Sequence, residues 1–288
     1  MIQFTDKVAL ITGAGRGLGL AYARALANAG ATVYLHDSGT SATGEGEDSG
    51  IAQRAANSVT SSGATVYARN DTITRIEGCQ KLLADISNQQ GRLDILIHNA
   101  GWVGYEPIEQ LREETFDRMM AITVKAGLWL SQAAWPLMRE SRGGRIILTT
   151  SDRAIYPQYA QVGLCSYAAA KMAVTGIVNV LGLEGQPHGI VVNAISPVAK
   201  TRMWGITAEP EDLRPQDVVP GVLFLASEQC RESGWILRAS NGQFHATRAS
   251  ETRGVNYPFD LNAPRATTAE EVAAAWHIIA PQVAEKRG

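Results

Sequence analysis

The sequence predicts an α/β domain built on a doubly wound parallel sheet, and three observations carry that expectation. Short apolar runs alternate with amphipathic stretches along most of the chain, the pattern of strands joined by crossover helices. A glycine-rich turn joins the first apolar run to the first amphipathic stretch. The 288 residues, 45% hydrophobic and 19% charged, suffice for a sizeable core in one domain.

Taken in order, Lys7–Thr12 reads as the first strand and Thr32–Asp37 as the second. Ala64–Asn70, Leu93–His98, Arg145–Thr150 and Ile190–Ile195 follow as strands, with Trp235–Ala239 as a last one. Helical patterns lie between them, from Gly17 to Ala29 and over 50–62, 74–90, 113–140, 164–186 and 215–228. Residues 38–50, rich in glycine, serine and acid, predict a mobile surface loop. Residues 1–240 are therefore expected to form a dinucleotide-binding and catalytic domain. Residues 241–288 are expected to form an extension packed on that domain or on a neighbouring subunit. The extension includes a capped helix at Thr267–Ile279, because TTAEEV sets hydroxyls and acids where the first amides need acceptors.

Composition excludes several classes of function. A formal net charge of −2 lacks the basic excess of a polyanion binder, so no nucleic-acid partner is expected. No run of about eighteen apolar residues is evident, so no membrane span is expected. Asp6 and Lys7 interrupt the N-terminal stretch too early for a secretion signal. Three well-spaced cysteines (Cys79, Cys165, Cys230) give neither a disulfide framework nor a metal site and fit a reducing compartment. The expectation is a cytoplasmic protein without metal.

Two stretches of the chain carry chemistry. Thr12-Gly13-Ala14-Gly15-Arg16-Gly17-Leu18-Gly19 follows a strand and opens a helix. Glycines there let the backbone approach a pyrophosphate, and the helix start presents free amides and a positive dipole. Asp37, ending the second strand, can accept both ribose hydroxyls and repels a 2′-phosphate, favouring NAD over NADP. Arg16 could pair with that phosphate, but a carboxylate beside a dianion dominates. In the other stretch, Tyr167 and Lys171 are spaced four apart on one helix face. An ammonium beside a phenol favours the phenolate and suits it to acid or base work. Ser151 ends a strand at the sheet edge where ligands bind, and can donate to a reacting oxygen.

With these pieces in order, the chain resembles the short-chain dehydrogenase/reductase family over nearly its whole length. The likeness rests on TGAGRGLG at 12–19, Asp37, Asp71-Thr72, HNAG at 98–101, Ser151, YAAAK at 167–171, and NAISP at 193–197 followed by Thr201. It implies a Rossmann-type fold, a nicotinamide cofactor, and hydride transfer between a secondary alcohol and a ketone. It also implies a homodimer or homotetramer acting on a small molecule. Tyr167 would be the acid/base, Lys171 would hold the nicotinamide ribose and lower the tyrosine pKa, and Ser151 would hold the substrate oxygen. Asn99, Ala100 and Gly101 would line the adenine-ribose side, Asp71 would meet the adenine, and Pro197, Val198 and Thr201 would contact the nicotinamide amide.

Within that family the pattern is similar to the (3R)-hydroxyacyl-CoA dehydrogenase portion of peroxisomal multifunctional enzymes and their bacterial relatives. GAGRGLGLAYA, AAWPLMRESRGGRII and TTAEEVAAAW carry this closer likeness. Four departures stand out. Thr123 replaces the asparagine that holds a relay water, His98 replaces the first asparagine of NNAG, Val198 replaces a glycine, and the stretch from Ser151 to Tyr167 is longer. A ketone, hydroxysteroid or cyclic-alcohol dehydrogenase that does not use CoA esters therefore remains an alternative, with a silent NAD-binding sensor as a further one. Arg153, Lys200 and Arg202 are the candidates for CoA phosphates. Trp102, Tyr105, Tyr156, Tyr159, Met203 and Trp204 are candidates to wall the cleft. Residues 197–212 are expected to serve as a lid.

Overall fold

The computed structural model describes residues 2–41, 43–60, 64–205 and 210–280, with the Trp204 side chain left aside. The chain divides into two compact units, Met1–Arg248 and Ala249–Gly288. In the first, β1 (Val8–Thr12), β2 (Thr32–His36), β3 (Val66–Arg69), β4 (Ile95–His98), β5 (Gly144–Thr149), β6 (Ile190–Val198) and β7 (Ile236–Ser240) are all parallel. With β8 (Gln243–Thr247) the order across the sheet is β3-β2-β1-β4-β5-β6-β7-β8. This is the doubly wound arrangement expected, and helices cover both faces. The reason is legible in VALIT and ILIH, every residue of which is buried, as a strand covered on both sides requires.

One face of the sheet packs beneath α1 (Gly17–Asn28), α2 (Ile51–Thr60) and α8 (Val219–Ala226), around Ile11, Leu26, Leu35 and Val222. The other packs beneath α3 (Ile76–Gln90), α5 (Ala126–Glu140) and α7 (Cys165–Gly185), around Leu10, Leu96, Leu130 and Val178. Strand order reverses between β1 and β4, where Thr12 lies level with His36 on one side and His98 on the other. The crevice outside these strand ends is where such a sheet binds ligands.

Several expectations need correction. The strand read as the last is followed by β8, antiparallel to β7. Its residues are largely exposed, so QFHAT shows no buried alternation, yet Asn241-Gly242 at the tip has the positive φ values of a tight hairpin. The single helix expected over 113–140 contains α4 (Glu113–Met120), a π-helical turn at Ala121–Lys125, and then α5. β6 runs on through Pro197 to Val198. Cys165–His188 is long and apolar enough to cross a membrane by length and composition alone, although Lys171 interrupts its apolar run. In this fold Val174 and Val178 bury one side of it against the sheet. The expected ends of the second helix, residues 61 and 62, lie outside the described residues.

In the second unit, α9 (Ala269–Ile279) begins where the sequence indicated. Thr268 caps it by accepting from the Glu271 amide at 3.2 Å, and the Glu271 carboxylate accepts from the Thr267 amide at 2.7 Å.

Candidate active site

A cleft of about 1520 Å³ runs along the carboxyl ends of the strands within the first unit. Its nucleotide half is built on the β1–α1 turn. Gly19 must be a glycine, since a Cβ there would fall 2.8 Å from both Ala14 Cα and Asn99 Nδ2. The start of α1 has no acid in its first turn and no side-chain cap, so its amides face the cleft uncompensated. Gly13, Arg16, Gly17, Leu18, Asp37, Asn99, Ala100 and Gly101 all line this half. Thr12, Gly15 and Gly19 stand behind it. The Asp37 carboxylate accepts from the Gly15 amide at 2.9 Å and the Gly39 amide at 2.7 Å, which fixes both loops. Two carboxylate oxygens retain capacity for further donors. A free-amide helix start at the end of a strand fits the pyrophosphate of a dinucleotide.

The loop after β2 folds over this half. The Thr40 carbonyl accepts from Arg16 and from Arg202 Nη1, each at 2.9 Å. Burial and the Arg16 charge lower the Arg202 pKa, while Asp37 opposes them. Glu45 pairs with Arg118 of α4 at 3.2 Å. Arg118 Cζ lies 5.3 Å from the Trp102 ring centroid, and a Cβ on Gly44 would strike that ring. Trp102 is only 6% exposed and lines the cleft.

Behind the cleft a directed chain of hydrogen bonds joins the nucleotide half to the π turn. His98 Nε2 lies 2.8 Å from the Ile122 carbonyl, which can only accept, so that nitrogen carries the proton. His98 Nδ1 then accepts from Thr12 Oγ1 at 2.9 Å. Thr12 in turn accepts from the Asn99 and Ala100 amides at 3.2 and 3.1 Å. Burial pushes the His98 pKa down to about 4, so the imidazole is neutral, as this chain needs. The histidine in place of asparagine thus tethers the π turn that carries Thr123. Thr123 is buried, and its hydroxyl donates only a long bond to Met119 Sδ, 3.6 Å. It does not line the cleft.

In the catalytic half, Ser151 caps the short helix α6 (Asp152–Ile155) by accepting from the Arg153 amide at 3.3 Å. The Ser151 side chain stands by the Tyr167 phenol and favours its ionised form. Lys171 Nζ lies 5.7 Å from the Tyr167 ring centroid and donates to the Thr149 carbonyl at 2.9 Å. Ser151, Tyr167, Lys171, Pro197, Val198 and Thr201 all line the cleft. The expected fall in the tyrosine pKa is corrected. Burial raises it, and the Ser151 hydroxyl and the Arg153 charge offset this only in part. Burial also lowers Lys171 to about 8, so the ammonium is itself weakened.

Other expectations divide. Asp71 and Thr72 do not line the cleft. The Asp71 carboxylate is taken by Arg69 at 2.9 and 3.0 Å, and Arg69 also pairs with Asp85. Trp102, Tyr159 and Met203 line the cleft, whereas Tyr105 and Tyr156 stand outside its lining. The Trp204 side chain and residues 206–209 of the expected lid lie outside the described residues. Sequence reasoning missed Thr149, Ser196, Asp152 and Arg238. Asp152 accepts from Ser196 Oγ at 2.7 Å and from Arg238 Nε at 2.9 Å. Parallel pairing of β6 with β7 sets Ser196 level with Arg238, a relation that no local motif encodes.

The short chain dehydrogenase family model matches residues 7–211. The chain is 33% identical over 278 residues to the peroxisomal hydratase-dehydrogenase-epimerase of Saccharomyces cerevisiae, covering 96% of this chain and 30% of that protein. It is 33% identical over 257 residues to the peroxisomal multifunctional enzyme type 2 of Mus musculus, covering 88% of this chain and 34% of that protein. The crystal structure of a short chain dehydrogenase from Mycobacterium avium superposes with a TM-score of 0.81 at 28% identity, covering 97% of each chain. The chain therefore belongs to the short-chain dehydrogenase/reductase family of oxidoreductases, related to the dehydrogenase portion of the peroxisomal multifunctional enzymes. It spans only about a third of the length of those yeast and mouse relatives.

Proposed function

We propose that the protein is an NAD-dependent oxidoreductase that interconverts a secondary alcohol and its ketone. The observation that carries this reading is the convergence of Ser151, Tyr167 and Lys171 on the same cleft as the glycine-rich turn and Asp37. Ser151 and Tyr167 grip the substrate oxygen, and Tyr167 takes its proton in oxidation or returns it in reduction. Lys171, anchored by the Thr149 carbonyl, keeps positive charge beside the forming phenolate. The β1–α1 turn would hold the pyrophosphate, Asp37 the adenosine ribose, Lys171 the nicotinamide ribose, and Pro197 to Thr201 the carboxamide. NAD, when bound, supplies the hydride acceptor.

The relation to multifunctional enzymes supports a 3-hydroxyacyl-CoA as one substrate class. The charged cluster of Asp152, Arg153 and Arg238 beside Ser151 favours an alcohol that is not a CoA ester. A cytoplasmic homodimer or homotetramer is part of this proposal, and fractionation and light scattering test it. The direct test follows the near-ultraviolet absorbance of reduced nicotinamide with NAD⁺ and NADP⁺ across secondary alcohols and 3-hydroxyacyl-CoA esters. Turnover with NAD⁺ is the expected result. Tight NAD⁺ binding with silence across the panel overturns it in favour of a sensor.

A further inference from the structure

Beside Ser151 and Tyr167 the cleft wall carries an arginine that no carboxylate among the described residues pairs with. Asp152 is neutralised where it stands, with Oδ1 accepting from Ser196 and Oδ2 from Arg238 Nε and Nη2, each at 2.9 Å. Arg238 is held further by the Tyr156 ring, 4.6 Å from its Cζ, so it is not free to reach a ligand. Lys200 is paired with Asp212. Arg153 differs. Its side chain meets the Tyr105 phenol at 2.6 Å, a neutral partner that is itself 55% exposed. Among the described residues it has no carboxylate partner, and it lines the cleft beside Ser151 and Tyr167.

Position decides what this cation can meet. Arg153 stands two residues from Ser151, at most about 7 Å of backbone, and its amide donates to the Ser151 hydroxyl. Its charge also acts on the Tyr167 phenol. An anion at Arg153 therefore lies close to the reacting carbon. The phosphates of a coenzyme A ester sit at the far end of a long pantetheine arm, beyond the reach of one arginine at this place. Resting on the dehydrogenase reading above, we propose that Arg153 is a specificity residue that receives the carboxylate of a hydroxy acid or keto acid, carried a few bonds from the carbinol or carbonyl carbon. A carboxylate matches the planar fork of a guanidinium, and exchanging a neutral phenol for it is favourable in a partly desolvated wall.

The test uses matched pairs, each a free acid and its methyl ester: 3-hydroxybutyrate, 3-hydroxyoctanoate and mandelate. Two readouts run in parallel on the full chain, NAD⁺-coupled kcat/KM and saturation-transfer NMR of each probe. The expected result is a preference for at least one acid over its ester. Arg153→Met reduces that preference about 100-fold, mainly through KM, as loss of a charged hydrogen-bonded partner implies. Arg153→Lys restores part of it. Alcohol turnover with no acid preferred to its ester, or a preference that survives in Arg153→Met, overturns the proposal and leaves the dehydrogenase reading intact. Acid binding that depends on Arg153 without any turnover supports the carboxylate site and overturns the dehydrogenase reading. Absence of both overturns both.

Discussion

Tyr167 is held in a poor place for a phenolate until something compensates its burial. Removal of its hydroxyl should therefore abolish the proton step and little else. Tyr167→Phe is expected to lower turnover by two or more orders of magnitude, about the contribution of a general acid/base. NADH binding by equilibrium titration should change little, and near-normal turnover would falsify the assignment. Lys171 makes a different prediction. Its pKa falls from 10.5 when unfolded to about 8 when folded. Below pH 8 both states hold the proton and the burial cost is fully present. Between the two values the unfolded chain holds the proton more strongly, so stability rises with pH. The gain is at most about 3 kcal/mol. Urea unfolding at about pH 7 and about pH 10.5 should show this rise in the wild type relative to Lys171→Met. Asp37 couples two properties, because its carboxylate also ties Gly15 to Gly39. Asp37→Ala should cost about 1–3 kcal/mol in thermal unfolding while raising kcat/KM for NADP⁺ relative to NAD⁺.

At the scale of elements, the β1–α1 turn admits no side chain at Gly19. Gly19→Ala is expected to lose about 1–3 kcal/mol of stability and to weaken NADH binding, read by thermal shift and fluorescence titration. This turn was legible in the sequence because strand, glycines and helix are contiguous. So was Tyr167 with Lys171, whose spacing is set by one helix. The π turn was not legible, since apolar periodicity runs through 113–140 without a break. Its cause lies elsewhere, in a histidine at the end of β4 that binds the Ile122 carbonyl. β8 was missed for an opposite reason. Its Asn241-Gly242 tip is a strong hairpin signal, but an exposed edge strand offers no buried alternation to accompany it. The Asp152–Arg238 pair depends on strand register between β6 and β7 and is invisible to any local pattern.

At the scale of the whole molecule, the doubly wound sheet gathers residues from six strand ends into one cleft, and this much followed from the alternation of runs. Residues 249–288 form their own unit, and none of the side chains of α9 is buried. A chain ending at Arg248 should therefore keep its far-ultraviolet circular dichroism per residue for the sheet and unfold in one cooperative transition. Loss of that transition would make the C-terminal unit part of the fold of the first.

Trp102 gives the cleft an optical property. The indole is clasped among Gly44, Gly104 and Arg118 and shielded from water. Its emission should therefore be blue-shifted, and it overlaps the absorption band of reduced nicotinamide. Occupancy of the nucleotide half thus becomes readable without a label, as quenching of protein emission paired with sensitised emission from the dihydropyridine. Because the guanidinium over the ring is tied to Glu45, the same signal reports whether the loop after β2 has let go.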